Sequence, residues 1–460
     1  MIYEHGLLIT VDAERRIIGD GAMVVRDGRF AAIDKTATLR ERFPLEQRID
    51  LKGKVVTPGL VNTHVHLAQA MIRGCADDME LLEWLGKRVW VLQGNYTEED
   101  GRASAELCIL EMLKSGTTAF VESLLAERYG FSGIAEVVLR SGIRAALAKI
   151  VMDVGTYATK TGWMHPGMVE DRDTSLKNTL AMYDQWNGAG NGRLAVWFGP
   201  RTPGGVTPEL YRQITALAHE RNMGVTVHLA EVASDRKFLQ ETYGLSPARY
   251  AESVGLVGPR VLLVHAVWMD AADIEILART RTNIAHNPAS NAKLASGIAP
   301  IPEMLAAGVN VTLGTDGGPS DNTYDMVRDM RLASYLHKAR TLNPLVTPAE
   351  SVLEMATING ARALGWENEI GSLEVGKQAD FVVFDFDQPH LTPNINPVST
   401  LVCAATGSDV DTVVIAGQTV VEHGHCLTLD EERIVHEART RAADLWKRSG
   451  IPNQPVWPLV

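Results

Sequence analysis

Two histidines separated by one residue, His64 and His66 in VNTHVHLAQ, follow shortly after Pro58-Gly59. On a strand, side chains at i and i+2 leave the same face. Two imidazoles on one face can hold a metal ion, or they can be ordinary polar residues near a turn. Four other stretches carry similar chemistry. They are VTVHLAE with His228 and Glu231, LLVHAVW with His265, IAHNPASN with His286, and TLGTDGG with Asp316. Each set closes a short apolar run. The whole chain has 13 histidines, so metal-ligating types at five run ends point to a metal-dependent catalytic site.

The elements that must position them are legible as a pattern. Apolar β-runs at 59–67, 117–122, 144–152, 194–201, 224–231, 261–268, 282–287 and 309–316 alternate with longer helical stretches. Eight buried strands, each followed by a helix, predict a (β/α)8 barrel, whose chemistry sits at the C-terminal strand ends. Helix starts are expected at Thr207-Pro208-Glu209 and at Thr347-Pro348-Ala349-Glu350, where a capping Thr precedes Pro. The two chain ends differ from this middle. GLLITVD, GAMVVRDGRFAAID and GKVVTPG, then GSLEVGKQADFVVFD and DVDTVVIAGQTVVEHG, are short strands with tight turns, including a hairpin at Asp27-Gly28.

The predicted fold class is therefore α/β, a distorted barrel with a small β-sandwich formed by both terminal segments. The expected division is 1–56 and 366–428 for the sandwich, 57–365 for the barrel, and 429–460 for an amphipathic helix and tail.

Composition excludes several classes. A net charge of -12 disfavours nucleic acid and anionic membranes. No apolar run reaches the roughly 18 residues of a membrane span. The start MIYEHGLLIT carries an early Glu4 and is not read as a signal peptide. Four scattered cysteines with no CxxC fit free thiols and a cytoplasmic location.

The combination of PG-x-x-N-T-H-x-H on strand one, His on five and six, and Asp on eight resembles the amidohydrolase superfamily. PASNAKLASGIAPIPEML, LGTDGGPSDN and GSLEVGKQADFVVFD resemble it too, so the likeness covers essentially the whole chain. Within the superfamily, VLEMATINGARALG and SDVDTVVIAGQTVVE are similar to the mononuclear deaminase and chlorohydrolase subgroup. That subgroup includes atrazine chlorohydrolases, melamine deaminases, guanine deaminases and adenosylhomocysteine deaminases.

The resemblance implies a ligand set. Binuclear members bridge two ions with a modified Lys on strand four, whereas strand four here, LAVWFGPR, has none. Lys149 on strand three is expected to be structural. One divalent ion is expected, on His64, His66, His228 and Asp316, with water completing the shell. The N/O donors suit Zn²⁺, and Fe²⁺ would also fit. A closed structural zinc site is the alternative, although such sites usually recruit thiolates. Such a metal lowers the pKa of bound water from about 16 toward 7. Glu231 is expected to shuttle the proton, with His265 and Asp316 polarising the hydroxide.

Expected substrate contacts are Gln69, Leu81, Trp84, Glu122, Arg201, His286, Asn291 and Ser320. Gln69 matches a purine-binding Gln of guanine deaminases and is also present in triazine hydrolases. Arg201 departs from the His of adenosylhomocysteine deaminases and is similar to the Arg of guanine deaminases; it suits a ring carbonyl or a carboxylate, or a structural salt bridge. Leu81 resembles the melamine deaminases and Ser320 the dechlorinases, while Gly317 matches neither. Trp84 and Trp90 approach the mouth, where Trp84 serves equally as rim packing. A Gly-rich stretch with Trp163 could form a lid.

The resulting expectation is a hydrolytic deaminase of an amino-substituted aromatic N-heterocycle: a triazine, guanine-like purine or pterin. The alternatives are dechlorination or dealkylamination of s-triazines, and hydrolysis of a cyclic amide or urea. A non-enzymatic scaffold would be expected to lose ligands that this chain keeps. A homo-oligomer, dimer or larger, is expected from the resemblance.

Overall fold

The computed structural model describes residues 1–155 and 164–452. The expected lid residue Trp163 lies outside the described residues. Seven barrel strands run Leu60–His66, Thr117–Leu125, Arg144–Val151, Leu194–Pro200, Val225–Leu229, Val261–His265 and Asn283–His286. Each pairs in parallel with the next. Helices cover the outside, so the strands are buried on both faces and read as continuous apolar runs.

The eighth strand is broken in two. Val311–Leu313 pairs with the seventh strand, and Asp316–Gly317 pairs with the first. That break closes the barrel, and its causes are local. A side chain at Gly314 would lie 2.5 Å from Asn287 Oδ1 and 2.6 Å from His64 Cβ, so only glycine fits there. The Asn62 amide then ties the seam. Its Nδ2 donates to Thr315 Oγ1 at 2.8 Å, and its Oδ1 accepts from the Thr315 N–H at 3.2 Å.

The terminal strands join in one nine-stranded mixed sheet. It curls until Phe30 and Tyr3 pack on Phe381, with ring centroids 6.0 and 5.0 Å away. The hairpin at Asp27-Gly28 forms as expected, with φ of 50° and 76°, the left-handed pair that a two-residue turn requires. Thr207 caps the helix Pro208–Glu220, accepting from the Leu210 N–H at 3.3 Å. The second expected cap does not form. The helix begins at Ala349 after Pro348, and the Thr347 hydroxyl donates to Ser334 O instead.

The tail helix Glu431–Ser449 lies on the barrel helix Glu98–Lys114. Ile434, Ala438 and Leu445 are its buried face. Arg433 reaches Glu106 at 3.0 Å, and Arg441 and Arg448 both pair with Asp100. Part of its charge is thus used within the fold. Lys149 is fully buried and holds Glu170 at 2.6 Å, a structural ion pair as expected. Among the described residues, no helix is long and apolar enough to cross a membrane.

One buried ion pair fastens the terminal sheet to the barrel. Arg144, opening the third strand, grips Asp380 at 2.5 and 3.1 Å. Asp380 also accepts from the Ala416 N–H at 2.7 Å. Removing one partner strands a buried charge. Asp380→Ala is therefore expected to destabilise the protein by about 3–5 kcal/mol, read from urea unfolding midpoints. A loss below about 1 kcal/mol, the level of an exposed pair, would show that this contact does not hold the sheet.

Candidate metal centre and active site

The barrel places the expected residues at one end. His64 and His66 leave the same face of the first strand, with ring centroids 4.9 Å apart. His228, from the fifth strand, stacks on His66 at 5.3 Å and 11° and lies 4.8 Å from His64. Asp316 Oδ1 is 3.3 Å from Nε2 of both His64 and His66. The potential ligand atoms of His64, His66 and Asp316 all lie within 4.8 Å of one another, and so do those of His64, His228 and His265.

This cluster fits a metal on its own chemistry. Both nitrogens of His64 are buried and make no hydrogen bond among the described residues. An unsatisfied buried polar atom is destabilising, and the His64 ring stands among other potential ligand atoms. Burial, with His64 nearby, pushes His66 down to about 3. Burial and the neighbouring imidazoles hold His228 well below the usual range. Burial pushes the Asp316 carboxyl up, but His64, His66 and His265 outweigh it and keep it well below the carboxylate range. Neutral imidazoles and an ionised carboxylate are the states that ligate a divalent ion.

Glu231 and His265 flank the cluster. Glu231 Oε2 is 3.5 Å from His265 Nε2. Ser296 donates to Glu231 Oε1 at 3.4 Å. Burial first, then Asp316 and Asp235, pushes the Glu231 carboxyl well above its ordinary value. Burial takes His265 down to about 3. His265 and Asp316 both have left-handed backbones, with φ of 71° and 64°, at about 1–3 kcal/mol each for non-glycine residues.

A cleft of ≈ 750 Å³, counted to its open mouth, leads to this floor. Gln69, Leu81, Trp84 and Arg201, among the candidate substrate contacts, line it. The Arg201 guanidinium lies 5.3 Å over the Trp90 ring. Gly317 is explained here, because any Cβ would fall 1.7 Å from Gln69 Oε1.

Four residues expected at the substrate do not reach the cleft wall. Glu122 accepts from the N–H groups of Leu67 at 2.6 Å and Leu124 at 3.1 Å. It lies 4.0 Å behind His66 Nδ1, with its pKa pushed by burial to about 8. His286 faces away, its Nε2 3.0 Å from that of His337. Asn291 meets His265 Nδ1 at 3.0 Å. The Ser320 hydroxyl binds the N–H and C=O of Gly317. In each case the buried polar group bonds to a partner within the protein.

Asp235, Gln93, Tyr129 and Met168 line the cleft without having been singled out from the sequence. Asp235 accepts from the N–H groups of Glu231 and Val232 at 3.0 and 3.2 Å, which fixes the turn carrying Glu231. Its signal was its position four residues past Glu231 and at the start of a helix.

Barrel, strand-end imidazoles and strand-eight carboxylate together define a hydrolase of the (β/α)8 type with a candidate metal site. The chain belongs to the amidohydrolase family, whose model matches residues 55–420. It is 38% identical to the 5'-deoxyadenosine deaminase of Methanosarcina acetivorans, over 98% of this chain and 99% of that one. It is 40% identical to the 5-methylthioadenosine/S-adenosylhomocysteine deaminase of Desulforudis audaxviator, over 92% and 95%. A zinc-bound adenosine deaminase from Xanthomonas campestris matches with a TM-score of 0.90 and 30% identity, over 97% and 98%. Zinc-bound atrazine chlorohydrolase from Arthrobacter aurescens matches at 0.88 and 26%, over 96% and 99%. The chain is thus a hydrolase of carbon–nitrogen bonds other than peptide bonds.

Behind the Asp316 turn, Asp321 and Asp329 carry four carboxylate oxygens that are buried without hydrogen-bond partners among the described residues. Arg328 approaches Asp321 only to 3.6 Å. Burial pushes Asp321 up to about 7, from 3.8, with Arg328 only partly offsetting it. Burial and Asp321 hold Asp329 well above its ordinary value. A folded pKa above the unfolded one favours the fold fully below about pH 4 and loses that effect as pH rises through about 7. Asp321→Asn removes this dependence. Its melting temperature relative to wild type is expected to climb between pH 5 and pH 8; a flat difference would refute the assignment.

Proposed function

We propose that this protein hydrolyses the exocyclic amino group of an aminopurine or a related amino-substituted N-heterocycle, using one divalent metal ion, zinc in the first instance. The observation that carries the reading is Glu231 at 3.5 Å from His265, beside the His64–His66–His228–Asp316 cluster on the floor of the cleft. The names of the deaminase relatives support the leaving group and the purine ring.

His64, His66, His228 and Asp316 would hold the ion. When bound, it supplies Lewis-acid activation of a water molecule. The chain's own residues do the rest. Glu231 takes the proton of the attacking water as the carboxylate, and its burial favours the acid form that results. It then passes it to a ring nitrogen and on to the departing amino group. His265 directs Nε2 at the same point and polarises the attacking oxygen. Trp84 and Trp90 offer flat faces to an aromatic ring, and the Gln69 amide offers both donor and acceptor to its edge. Arg201 presents a fixed cation to a ring carbonyl or a carboxylate.

Metal-quantified protein should release ammonia from at least one member of a panel of 5'-deoxyadenosine, S-adenosylhomocysteine, guanine, isoxanthopterin, melamine, ammeline and cytosine. Guanine turnover without 5'-deoxyadenosine turnover would set Arg201 against a ring carbonyl. Chloride from atrazine with no ammonia from the panel would replace deamination by dechlorination. On the best substrate, Glu231→Gln should keep its metal and lose at least about 10²-fold in turnover. Near-wild-type activity would remove Glu231 from proton transfer.

A further inference from the structure

We propose that the turn spanning 287–291 is one positioning element for the reaction. Asn287 and Asn291 fix the ring of His265, and Ser290 fixes the carboxylate of Asp316. The kinetic part of this inference rests on the deaminase reading above.

Pro288 opens the short helix Pro288–Lys293, with Asn287 at its cap. Residues at i, i+3 and i+4 share one helical face, so Asn287, Ser290 and Asn291 point the same way. Asn287 Nδ2 lies 3.1 Å from His265 Nδ1, and Asn291 Nδ2 lies 3.0 Å from it. Ser290 Oγ donates to Asp316 Oδ2 at 2.6 Å. All five side chains are buried.

The chemistry of these contacts assigns a proton. An amide nitrogen donates and does not accept. With both amide nitrogens turned toward it, His265 Nδ1 accepts, which places the ring proton on Nε2, facing Glu231 Oε2 at 3.5 Å. Ser290 likewise occupies Oδ2 of Asp316, which leaves Oδ1 to face His64 and His66. One face of one helical turn thus decides which atom of each residue meets the reaction.

Two further observations separate this from ordinary packing. Among the described residues, Asn287 and Asn291 keep Oδ1 buried with no hydrogen bond, a penalty that stability alone does not justify. His265 and Asp316 also hold left-handed backbones, which persist only where surroundings over-determine them. Among the described residues, none of Asn287, Ser290 and Asn291 lines the cleft.

The test uses metal-loaded protein. Asn287→Ala and Asn291→Ala should each lower kcat at least tenfold, with KM within threefold and metal content unchanged. In a His265→Ala background, Asn291→Ala should change kcat by less than twofold, because it acts through His265. A further tenfold loss there would overturn the assignment. Ser290→Ala should speed metal loss to a chelator, and Ser290→Thr should restore it; unchanged retention would overturn the Ser290 half. Nitrogen-15 NMR of labelled histidine decides the rest without any activity, and so separates this inference from the choice of substrate. The His265 signals, assigned by their loss in His265→Asn, should show the Nε2–H tautomer. An Nδ1–H tautomer in wild type would overturn the proposal. Asn291→Asp preserves shape but supplies an acceptor, and should move the proton to Nδ1.

Discussion

Closure of the barrel between its eighth and first strands is the constraint on which the site depends. Asp316 Oδ1 can stand 3.3 Å from both His64 and His66 only because Asp316–Gly317 pairs with the end of the first strand. The residues that make this seam are small or amide-bearing: Gly314, which leaves room for His64, and Asn62, which binds Thr315 at both ends. Tyr324 adds a strut, accepting from the Gly318 N–H and donating to His66 O. The two ligand-bearing ends are thus held by backbone contacts as well as by any ion between them.

Burial sets the protonation states around that seam. It pushes the imidazoles His66, His228 and His265 toward neutrality and the Glu231 carboxyl toward its acid form. Asp316 is driven the opposite way by the three imidazoles around it. Two carboxylates in one cleft therefore differ in charge because their neighbours differ. Such a division, one carboxyl group held ionised and the other held toward its acid form, lets one site run acid and base chemistry near neutral pH.

Support for the site comes from residues that hold its reacting groups from behind or beside. Glu122 ties the first and second strands beneath His66, Asp235 holds the turn of Glu231, and the 287–291 turn reaches both His265 and Asp316. Most of these contacts join a side chain to backbone or to a neighbouring strand end. Orientation of the reacting atoms is consequently a property of the barrel rim as a whole.

The sequence by itself determined the eight apolar runs, the chemistry at their ends and the pairing of the two terminal segments. These follow from period and residue type, which are local. His64 and His66 were legible because i and i+2 share a face whatever the strand's neighbours. The depth at which the strands meet was decided only by the tertiary structure, and with it which polar groups reach the cleft. Glu122, His286, Asn291 and Ser320 carry suitable groups at suitable places in the chain, yet each bonds to a partner close in space: Leu67, His337, His265 and Gly317. Three of those partners lie on other elements. A buried polar group bonds to whatever the fold brings within about 3 Å, and that choice is made by three-dimensional packing, which no spacing along the chain encodes.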